Sequence, residues 1–468
     1  MRIGIWDGGV VAGSHGDFTG RLTVAEPTAR VSSHATHVAG TLAGDGSGSL
    51  REEIGIVPLV LSSQADAAID AAATTEELRA QPAAGEETLQ EKLRSTLTAS
   101  PAQWRGVAPG AAIISYFWDQ SADDHEAAIR DEQIRLSQNS WGFAVDSARG
   151  NCSLYGDYTV DAAAYDRIVR GLFGKPLPIV FAAGNERNDS DCGMSANPPF
   201  ENYANITPPQ TAKNVITVGA INSDDALITE FSSFGPTDDG RLKPDLVAAG
   251  CQSGDDQAVT STVPVNDYDG KCGTSMAAPA VSGAIALLME ARDAASDSSS
   301  EKDLHPSSYR ALLIHGAQDI EQMGPDYVSG YGRLDIMRSL KLLDDKALTE
   351  GEIEETDQKR VAMLDVPPNA KKLKVTLVWD DEPASPNALI SLVNDLDLRL
   401  VSPVQEPAKP WVLDPSKPKE PATRGLDRIN VVEQVEVESP AAGSWLVEIA
   451  GFAVPVPPQA FSLMVSIE

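Results

Sequence analysis

The chain has 468 residues, of which 42% are hydrophobic and 22% charged, and its formal net charge is −31. This size suits two or three domains with a core that needs no covalent staples. The acidity argues against nucleic acids and anionic membranes as partners, because both require basic surface. It fits high solubility, a high-salt habitat or carboxylates that hold calcium. We find no apolar run long enough to span a membrane.

Short apolar segments alternate with helical stretches over the first two thirds of the chain. This alternation predicts an α/β fold in which helices flank a parallel sheet. Val281–Ala291 is apolar nearly all round, which predicts a buried central helix. The predicted strands are Ile3–Trp6, Ala112–Phe117, Ile179–Ala182, Val215–Ala220 and Leu246–Ala249.

One segment within this part, residues 45–103, differs in composition. It is rich in Ala, Glu, Gln, Ser and Thr and carries no catalytic signature. We interpret it as a surface insertion with one helix near Glu87–Thr98. A second polar stretch, Asp293–Lys302, predicts a surface loop.

The hydrophobic pattern changes after an acidic stretch at Leu343–Asp357. We therefore place a domain boundary there, between residues 1–345 and residues 346–468. Apolar residues then alternate with period two, and turns rich in Pro, Gly and Asn separate the runs. This predicts a C-terminal antiparallel β-sandwich or jelly roll. Its predicted strands are Lys374–Trp379, Asp397–Val401, Val431–Val437 and Trp445–Ile449.

The four cysteines form no CxxC pair, so zinc and redox motifs are not indicated. Three disulfide connectivities are open, as are free buried thiols, and we favour Cys152–Cys192 with Cys251–Cys272. Disulfides would imply an oxidising compartment. No signal-peptide pattern precedes the first strand, which is consistent with a mature or trimmed product. We expect a secreted monomer.

Two segments place a serine and an asparagine where developing negative charge would be stabilised. Ser275 lies in Gly273–Pro279, at the start of the long apolar helix, where backbone N–H groups are unpaired and the helix dipole is positive. Asn185 follows the predicted strand that ends at Ala182, and its amide could donate to an oxyanion. The simpler interpretations are an N-cap for Ser275 and a turn cap for Asn185.

A histidine and an aspartate lie at two other element ends. His34 lies in Ser32–Gly40, at another helix start, and Asp7 ends the first strand before two glycines. Sites in open parallel sheets lie outside the carboxyl ends of the strands. Each residue alone has a common structural explanation, since histidines are often structural and aspartates often form turns. His34 and His37 could also bind a metal, but no third ligand with suitable spacing is present.

Together the four segments, in the order Asp, His, Asn, Ser, resemble the subtilases, over most of residues 1–343. The resemblance implies a serine endopeptidase with Asp7, His34 and Ser275 as the triad and Asn185 as an oxyanion donor. His37 matches a structural histidine. Ala35 and Gly8 depart from the residues usual in the family, and neither replaces a reacting group.

The resemblance also implies two segments that bind substrate. Ser140, Trp141 and Gly142 would pair with the backbone of an extended peptide, which is β-augmentation. With Ala182, Ala183 and Gly184 they would wall the pocket for the residue before the scissile bond. Protein or peptide substrates are therefore the expected partners.

Further segments, including Phe231–Thr237 and Val378–Pro383, are similar to the larger, oxidation-resistant subtilases with a C-terminal β-barrel domain. That group implies structural calcium, and oxygen-rich clusters suit this ion. Solvated Asn–Asp turns are the alternative. The candidate calcium ligands are Asp380, Asp381, Asn394, Asp395 and Asp397.

Two other functions stay open at this point. The chain could be a binding protein that keeps the fold without turnover, or it could transfer the acyl group to an amine as a peptide ligase or macrocyclase. The four intact segments disfavour the first, and no feature announces the water exclusion that the second requires.

Overall fold

The computed structural model describes residues 1–48, 103–188, 192, 201–254, 257–295 and 303–468. The predicted helix Glu87–Thr98, and all but the two ends of the predicted insertion, lie outside these residues. So does most of the predicted loop Asp293–Lys302, where the preceding helix continues to Ala295.

The first part of the chain contains both helices and strands. The helices are α1 (Ser33–Ala43), α2 (Ser121–Arg130), α3 (Val160–Val169), α4 (Thr274–Ala295), α5 (Pro306–Gly316) and α6 (Ile336–Asp344). The strands are β1 (Arg2–Asp7), β2 (Leu22–Val24), β3 (Ala112–Phe117), β4 (Leu136–Asn139), β5 (Ile179–Ala182), β6 (Ile216–Asn222), β7 (Leu246–Cys251), β8 (Val259–Val263) and β9 (Asp267–Lys271).

Within the described residues, seven parallel strands form one sheet in the order β2-β3-β1-β4-β5-β6-β7. Strand β1 lies between β3 and β4, with Ile3 opposite Ile113 on one side and Leu136 on the other. Strands β2 and β3 lie on one side of β1, and from β4 the chain proceeds outward on the other side to β7, so the topological switch point lies at the carboxyl end of β1. Ligands bind outside such a point in open α/β sheets.

Sequence patterns located five of the seven strands of this sheet to within two residues at each end. They missed β2 and β4, for different reasons. Strand β2 has three residues, too few for a periodic pattern. Strand β4 reads Leu-Ser-Gln-Asn, and its three polar side chains are fully buried, which hydrophobicity cannot predict.

Helix α4 runs through the core and packs against β5, β6, β7 and α1. The predicted helix Val281–Ala291 is its central part. By length and hydropathy its 22 residues could cross a membrane, yet 78% of the most apolar 18-residue window is buried inside the protein. The prediction that no apolar run is long enough to span a membrane was therefore wrong by length, and the structure places this segment as the core helix.

The C-terminal part consists of two antiparallel four-stranded sheets and a short ribbon. The sheet orders are β10-β19-β12-β17 and β11-β18-β13-β14, and the ribbon pairs β15 with β16. The strands are β10 (Leu348–Ile353), β11 (Lys359–Val366), β12 (Lys372–Trp379), β13 (Asp395–Val401), β14 (Pro407–Ala408), β15 (Trp411–Val412), β16 (Thr423–Arg424), β17 (Val432–Glu438), β18 (Gly443–Ala453) and β19 (Gln459–Ile467).

The predicted α/β fold with a C-terminal antiparallel sandwich is confirmed. The four predicted C-terminal strands correspond to β12, β13, β17 and β18. Strand β10 lies inside the acidic stretch interpreted as a boundary, and β11 is an edge strand whose residues are mostly exposed. Neither strand shows a regular buried alternation, which explains why the sequence pattern missed both.

A buried ion pair joins the two parts of the molecule. Lys213 Nζ lies 2.5 Å from Asp381 Oδ2, and neither side chain is exposed. The same ammonium donates to the carbonyl of Ser391 at 2.7 Å. Asn214 and Asp381 exchange two further hydrogen bonds of 2.8 Å. These contacts fix the sandwich against the parallel-sheet part.

The four cysteines form the two favoured disulfides. Cys152 is bonded to Cys192, and Cys251 is bonded to Cys272. Cys251 ends strand β7, and Cys272 lies three positions before Ser275.

Candidate active site

Asp7 is held at the carboxyl end of β1, almost without solvent contact. Asp7 is 1% exposed, and its Oδ1 accepts a hydrogen bond from the Gly8 backbone N–H at 2.7 Å. A Cβ on Gly9 would stand 2.7 Å from the Arg30 carbonyl and 2.8 Å from Ser32 Cβ. Glycine at this position therefore permits the close approach of the segment that leads into α1.

His34 reaches Asp7 because α1 begins beside the end of β1. Ser32 caps the helix by accepting from the Ala35 backbone N–H at 3.1 Å, and it donates its own N–H to the Val10 carbonyl. His34 Nδ1 lies 2.9 and 2.8 Å from the two Asp7 carboxylate oxygens. Since a carboxylate only accepts, Nδ1 carries the proton and Nε2 is left as the basic nitrogen.

Opposing effects act on the pKa of His34. Burial lowers it, but the hydrogen bond to Asp7 and the charge of that carboxylate outweigh burial and the opposing charge of Lys271, so the pKa is raised above 6.5. Burial instead lowers the pKa of His37 to about 4, so this histidine stays neutral at ordinary pH. His37 Nε2 lies 2.9 Å from the Val259 carbonyl.

Ser275 is the second residue of α4, and its segment is bonded to the segment of Asn185. Asn185 Oδ1 accepts from the Thr274 backbone N–H at 2.9 Å and from Thr274 Oγ1 at 3.1 Å. The Gly184 N–H in turn donates to Thr274 Oγ1 at 3.1 Å. Because Oδ1 is engaged twice, the orientation of the Asn185 amide is fixed.

The space beside Gly273 is where two hydrogen-bond donors converge. A Cβ built on Gly273 would stand 3.6 Å from Asn185 Nδ2 and 3.6 Å from the Ser275 backbone nitrogen. Two donors that border one space at a helix N-terminus form an arrangement that suits an oxyanion.

The structure brings Asp7 and His34 into direct contact, and it brings Asn185 next to the Ser275 segment. In the part of the chain that the structure describes, no hydrogen bond joins Ser275 to His34. Catalytic hydrogen bonds are often long until substrate binds, so the lack of this bond is compatible with proton transfer from Ser275 to His34.

The segment Ser140–Gly142 follows β4 and lies against the Ser275 segment. Ser140 Oγ donates to the Ser275 carbonyl at 2.9 Å. Trp141 is half-buried and Gly142 is exposed. In the second predicted segment, Ala182 and Ala183 are buried, and Gly184 is partly exposed. Gly142 and Gly184 are thus the most accessible parts of the two predicted walls.

Three side chains that the sequence analysis did not select border Ser140–Gly142. Trp118 stacks on Trp141 with ring centroids 5.3 Å apart. Gln210 Nε2 donates to the Trp141 carbonyl at 2.9 Å, while its buried Oε1 has no partner. Thr207 Oγ1 would lie 3.0 Å from a Cβ on Gly142. Of these three residues, only Trp118 could have been predicted from sequence to border the site, because it directly follows β3.

The first two predicted calcium ligands, Asp380 and Asp381, contact protein groups. Asp380 Oδ2 accepts from the Ser307 backbone N–H at 2.9 Å, and Asp380 Oδ1 is buried without a partner. Asp381 forms the ion pair with Lys213 and accepts from the Asn394 backbone N–H at 2.8 Å.

The other three ligands also face protein partners. Asn394 donates to Gln459 Oε1 at 2.9 Å. Asp397 binds Arg428 through both carboxylate oxygens, at 2.5 and 3.2 Å, and Asp395 lies 3.4 Å from the same guanidinium. No group of three or more His, Cys, Asp or Glu within the described ranges is arranged to hold a metal ion. Asp381, Asn394 and Asp397 are thus engaged by protein partners, whereas Asp380 Oδ1 is not, and calcium binding at these residues stays a prediction.

The geometry above agrees with a family assignment made from the whole chain. The profile of the subtilase family, Peptidase_S8, matches residues 3–332. The chain therefore belongs to the subtilase family. The matched span contains Asp7, His34, Asn185 and Ser275.

Known relatives are similar in sequence to only part of this chain. Serine protease AprX of Bacillus subtilis (strain 168) is 29% identical over 202 residues, which is 38% of this chain and 40% of that protein. The serine protease/ABC transporter B family protein tagA of Dictyostelium discoideum is 25% identical over 276 residues, or 50% and 15%. This chain thus spans less than half the length of either relative. The solved serine protease of Aeromonas sobria is 17% identical, with a TM-score of 0.48, over 99% of this chain and 88% of that one.

Proposed function

We propose that the chain is a serine endopeptidase that hydrolyses peptide bonds in proteins through an acyl-enzyme intermediate. One observation carries the proposal: the Asp7–His34 hydrogen bond lies at the switch point of the sheet in a subtilase. Helix α4 presents Ser275 on the same carboxyl-end side of the sheet, and two donors border the space beside it.

In the proposed reaction, Ser275 Oγ attacks the carbonyl carbon of the scissile bond, and His34 Nε2 takes the hydroxyl proton. Asp7 holds the imidazole in the required tautomer and stabilises the imidazolium. His34 then protonates the leaving amine. A water molecule, activated in the same way, hydrolyses the acyl-enzyme and regenerates Ser275.

The tetrahedral intermediate carries negative charge on the former carbonyl oxygen. Asn185 Nδ2 and the Ser275 backbone N–H would donate to it. Such donors act most strongly when they are fixed before the reaction, because no reorganisation is then required. The two hydrogen bonds from Thr274 to Asn185 Oδ1 supply that fixation.

An extended peptide would pair with Ser140–Gly142, which contributes affinity mainly through main-chain hydrogen bonds. The stacked rings of Trp118 and Trp141 offer an apolar surface to one substrate side chain. Trp118 Nε1 would lie 4.0 Å from a Cβ on Gly8, next to Asp7. We expect an apolar or aromatic side chain to be preferred at the subsite that faces these rings.

Labelling with a biotinylated fluorophosphonate tests the assignment, because only a serine activated by an aligned base reacts. The wild-type chain should gain one label on Ser275, and Ser275→Ala and His34→Ala should gain none. Ser416→Ala, which alters an exposed serine in the C-terminal part, should label like wild type. A folded wild-type chain that gains no label would instead support a binding protein.

Product mass spectrometry separates hydrolysis from acyl transfer. With a short peptide and an excess of an amine acceptor, a protease should yield mainly the free acid. A product that contains the acceptor as its main species would support a ligase instead.

We also propose that the protein works in an oxidising compartment such as the cell exterior. The two disulfides support this, because such bonds persist where thiols are not kept reduced. Thiol titration of protein isolated from its natural location, with thiols alkylated at lysis, tests it: all four cysteines should be protected.

A further inference from the structure

Strands β8 and β9, which lie between β7 and Ser275 in the chain, form a ribbon that packs on helix α1. Ser261 Oγ donates to the His37 carbonyl at 2.9 Å, and Thr262 Oγ1 donates to the Thr36 carbonyl at 2.7 Å. A Cβ on Gly40 would stand 2.2 Å from Thr262 Oγ1, so glycine is required for this close approach. The ribbon is thus fastened to the helix that begins beside His34.

The other end of the ribbon is fastened at Cys272, directly before the segment of Ser275. The disulfide joins Cys272 to Cys251 at the end of β7, and 20 residues lie between the two cysteines. One residue further on, the Gly273 N–H donates to the Gly250 carbonyl at 2.9 Å. Both links hold the chain at residues 272 and 273 against the last strand of the sheet.

The backbone fixed in this way leads straight into the two oxyanion donors. The next residue, Thr274, gives two hydrogen bonds to Asn185 and sets its amide. Ser275 supplies the second donor. A shift of the backbone at Gly273 would therefore move both donors together.

From this placement we infer that Cys251 and Cys272 are positioning residues: their disulfide fixes the two oxyanion donors, and its reduction reversibly lowers turnover. This inference rests on the proposed protease function. Cys272 is exposed and Cys251 is partly exposed, so a small dithiol can reach the bond.

In the switch step, a dithiol reduces the Cys251–Cys272 bond. The S–S bond breaks, each cysteine sulfur becomes a thiol, and the dithiol closes to its own disulfide, so two electrons and two protons are transferred. A single backbone hydrogen bond then remains of the two links, and one such bond constrains the backbone far less than a covalent link does. The donors would be held less firmly, which weakens stabilisation that depends on fixed geometry.

Variants that leave one disulfide each allow a matched test. In Cys152→Ala/Cys192→Ala, dithiothreitol can act only on the Cys251–Cys272 bond, and we expect kcat on a short peptide to fall by about tenfold with little change in KM. Reoxidation should restore kcat. In Cys251→Ala/Cys272→Ala, the same treatment should leave kcat at its already lowered value.

A comparison with Asn185→Ala tests whether the disulfide acts by positioning the oxyanion donors or by stabilising the fold in general. In an Asn185→Ala background one donor is gone, so reduction should lower kcat by clearly less than it does with Asn185 present. Equal losses in both backgrounds would overturn the inference.

An unchanged kcat would also overturn the inference if mass spectrometry shows that the bond is reduced and circular dichroism shows a folded chain. Should the alanine variants fail to fold, reduction and alkylation of the native wild-type chain, with the same readouts, provides the test. Fluorophosphonate labelling of oxidised wild-type protein reports on the protease function itself, so failure of that proposal is seen separately.

Discussion

Thr274 holds the Asn185 side chain through two hydrogen bonds, from its backbone N–H at 2.9 Å and from its Oγ1 at 3.1 Å, although the residues are 89 positions apart. Both bonds end on Asn185 Oδ1. The amide nitrogen is therefore left to face the space beside Gly273, which the Ser275 backbone nitrogen also borders.

These two hydrogen bonds predict that substitutions at Asn185 and Thr274 lower kcat by different amounts. Asn185→Ala removes an oxyanion donor and should lower kcat by about 100- to 1000-fold with little change in KM. Thr274→Val keeps the backbone donor and loses Oγ1, so a smaller loss of kcat is expected. Steady-state kinetics on a short peptide measure both, and Thr423→Val, at an exposed position, is the control. An effect confined to KM would contradict the oxyanion role.

The raised pKa of His34 predicts the acid limb of the pH profile. Imidazolium cannot accept the Ser275 proton, so kcat/KM should fall as the pH drops through the His34 pKa, which is raised from the ordinary value of a histidine. Asp7→Asn removes the negative charge that raises this pKa. We expect the limb to move to lower pH and kcat to fall by about 10⁴-fold.

The measurement is kcat/KM between about pH 5 and pH 9, with His34 as the group assigned to the acid limb. Asp365→Asn, which changes an exposed carboxylate on β11, should leave the limb in place. If the acid limb does not move in Asp7→Asn, the limb reports the pKa of a group other than His34.

The buried pair of Lys213 and Asp381 predicts a large stability effect at the junction of the two parts. Lys213→Met leaves a buried carboxylate without its cation, which should lower the free energy of unfolding by about 3–5 kcal/mol. Lys213→Met/Asp381→Leu should recover part of that loss. Removing Lys417 from its exposed pair with Glu420 should cost less than about 1 kcal/mol.

Urea unfolding followed by tryptophan fluorescence gives these values, provided that the transition is two-state. A Lys213→Met variant as stable as wild type would mean that the pair does not fasten the two parts.

Pairing of Asp397 with Arg428 predicts that calcium does not act through this carboxylate. Calcium binding elsewhere in the chain stays a prediction, because binding to the native state alone would raise Tm by mass action. We expect any rise of Tm in millimolar calcium, relative to a chelator, to be the same in Asp397→Asn as in wild type. A response lost in Asp397→Asn alone would restore this residue as a ligand.

Sequence alone determined the fold class, because hydrophobic periodicity is local and changes visibly from the α/β part to the sandwich. It also selected Asp7, His34, Asn185 and Ser275, because their four segments occur together in an order that resembles the subtilases. The favoured disulfide pairing was confirmed as well.

Tertiary structure decided what these residues contact. The Asp7–His34 bond depends on the approach of Ser32 to Gly9, and the orientation of Asn185 depends on Thr274, and neither contact is local in sequence. The carboxylates expected to bind calcium show the same limit. Their composition suggested an ion, which stays a prediction, and the fold pairs Asp381 with Lys213 and Asp397 with Arg428. A sequence pattern contains no record of these pairings.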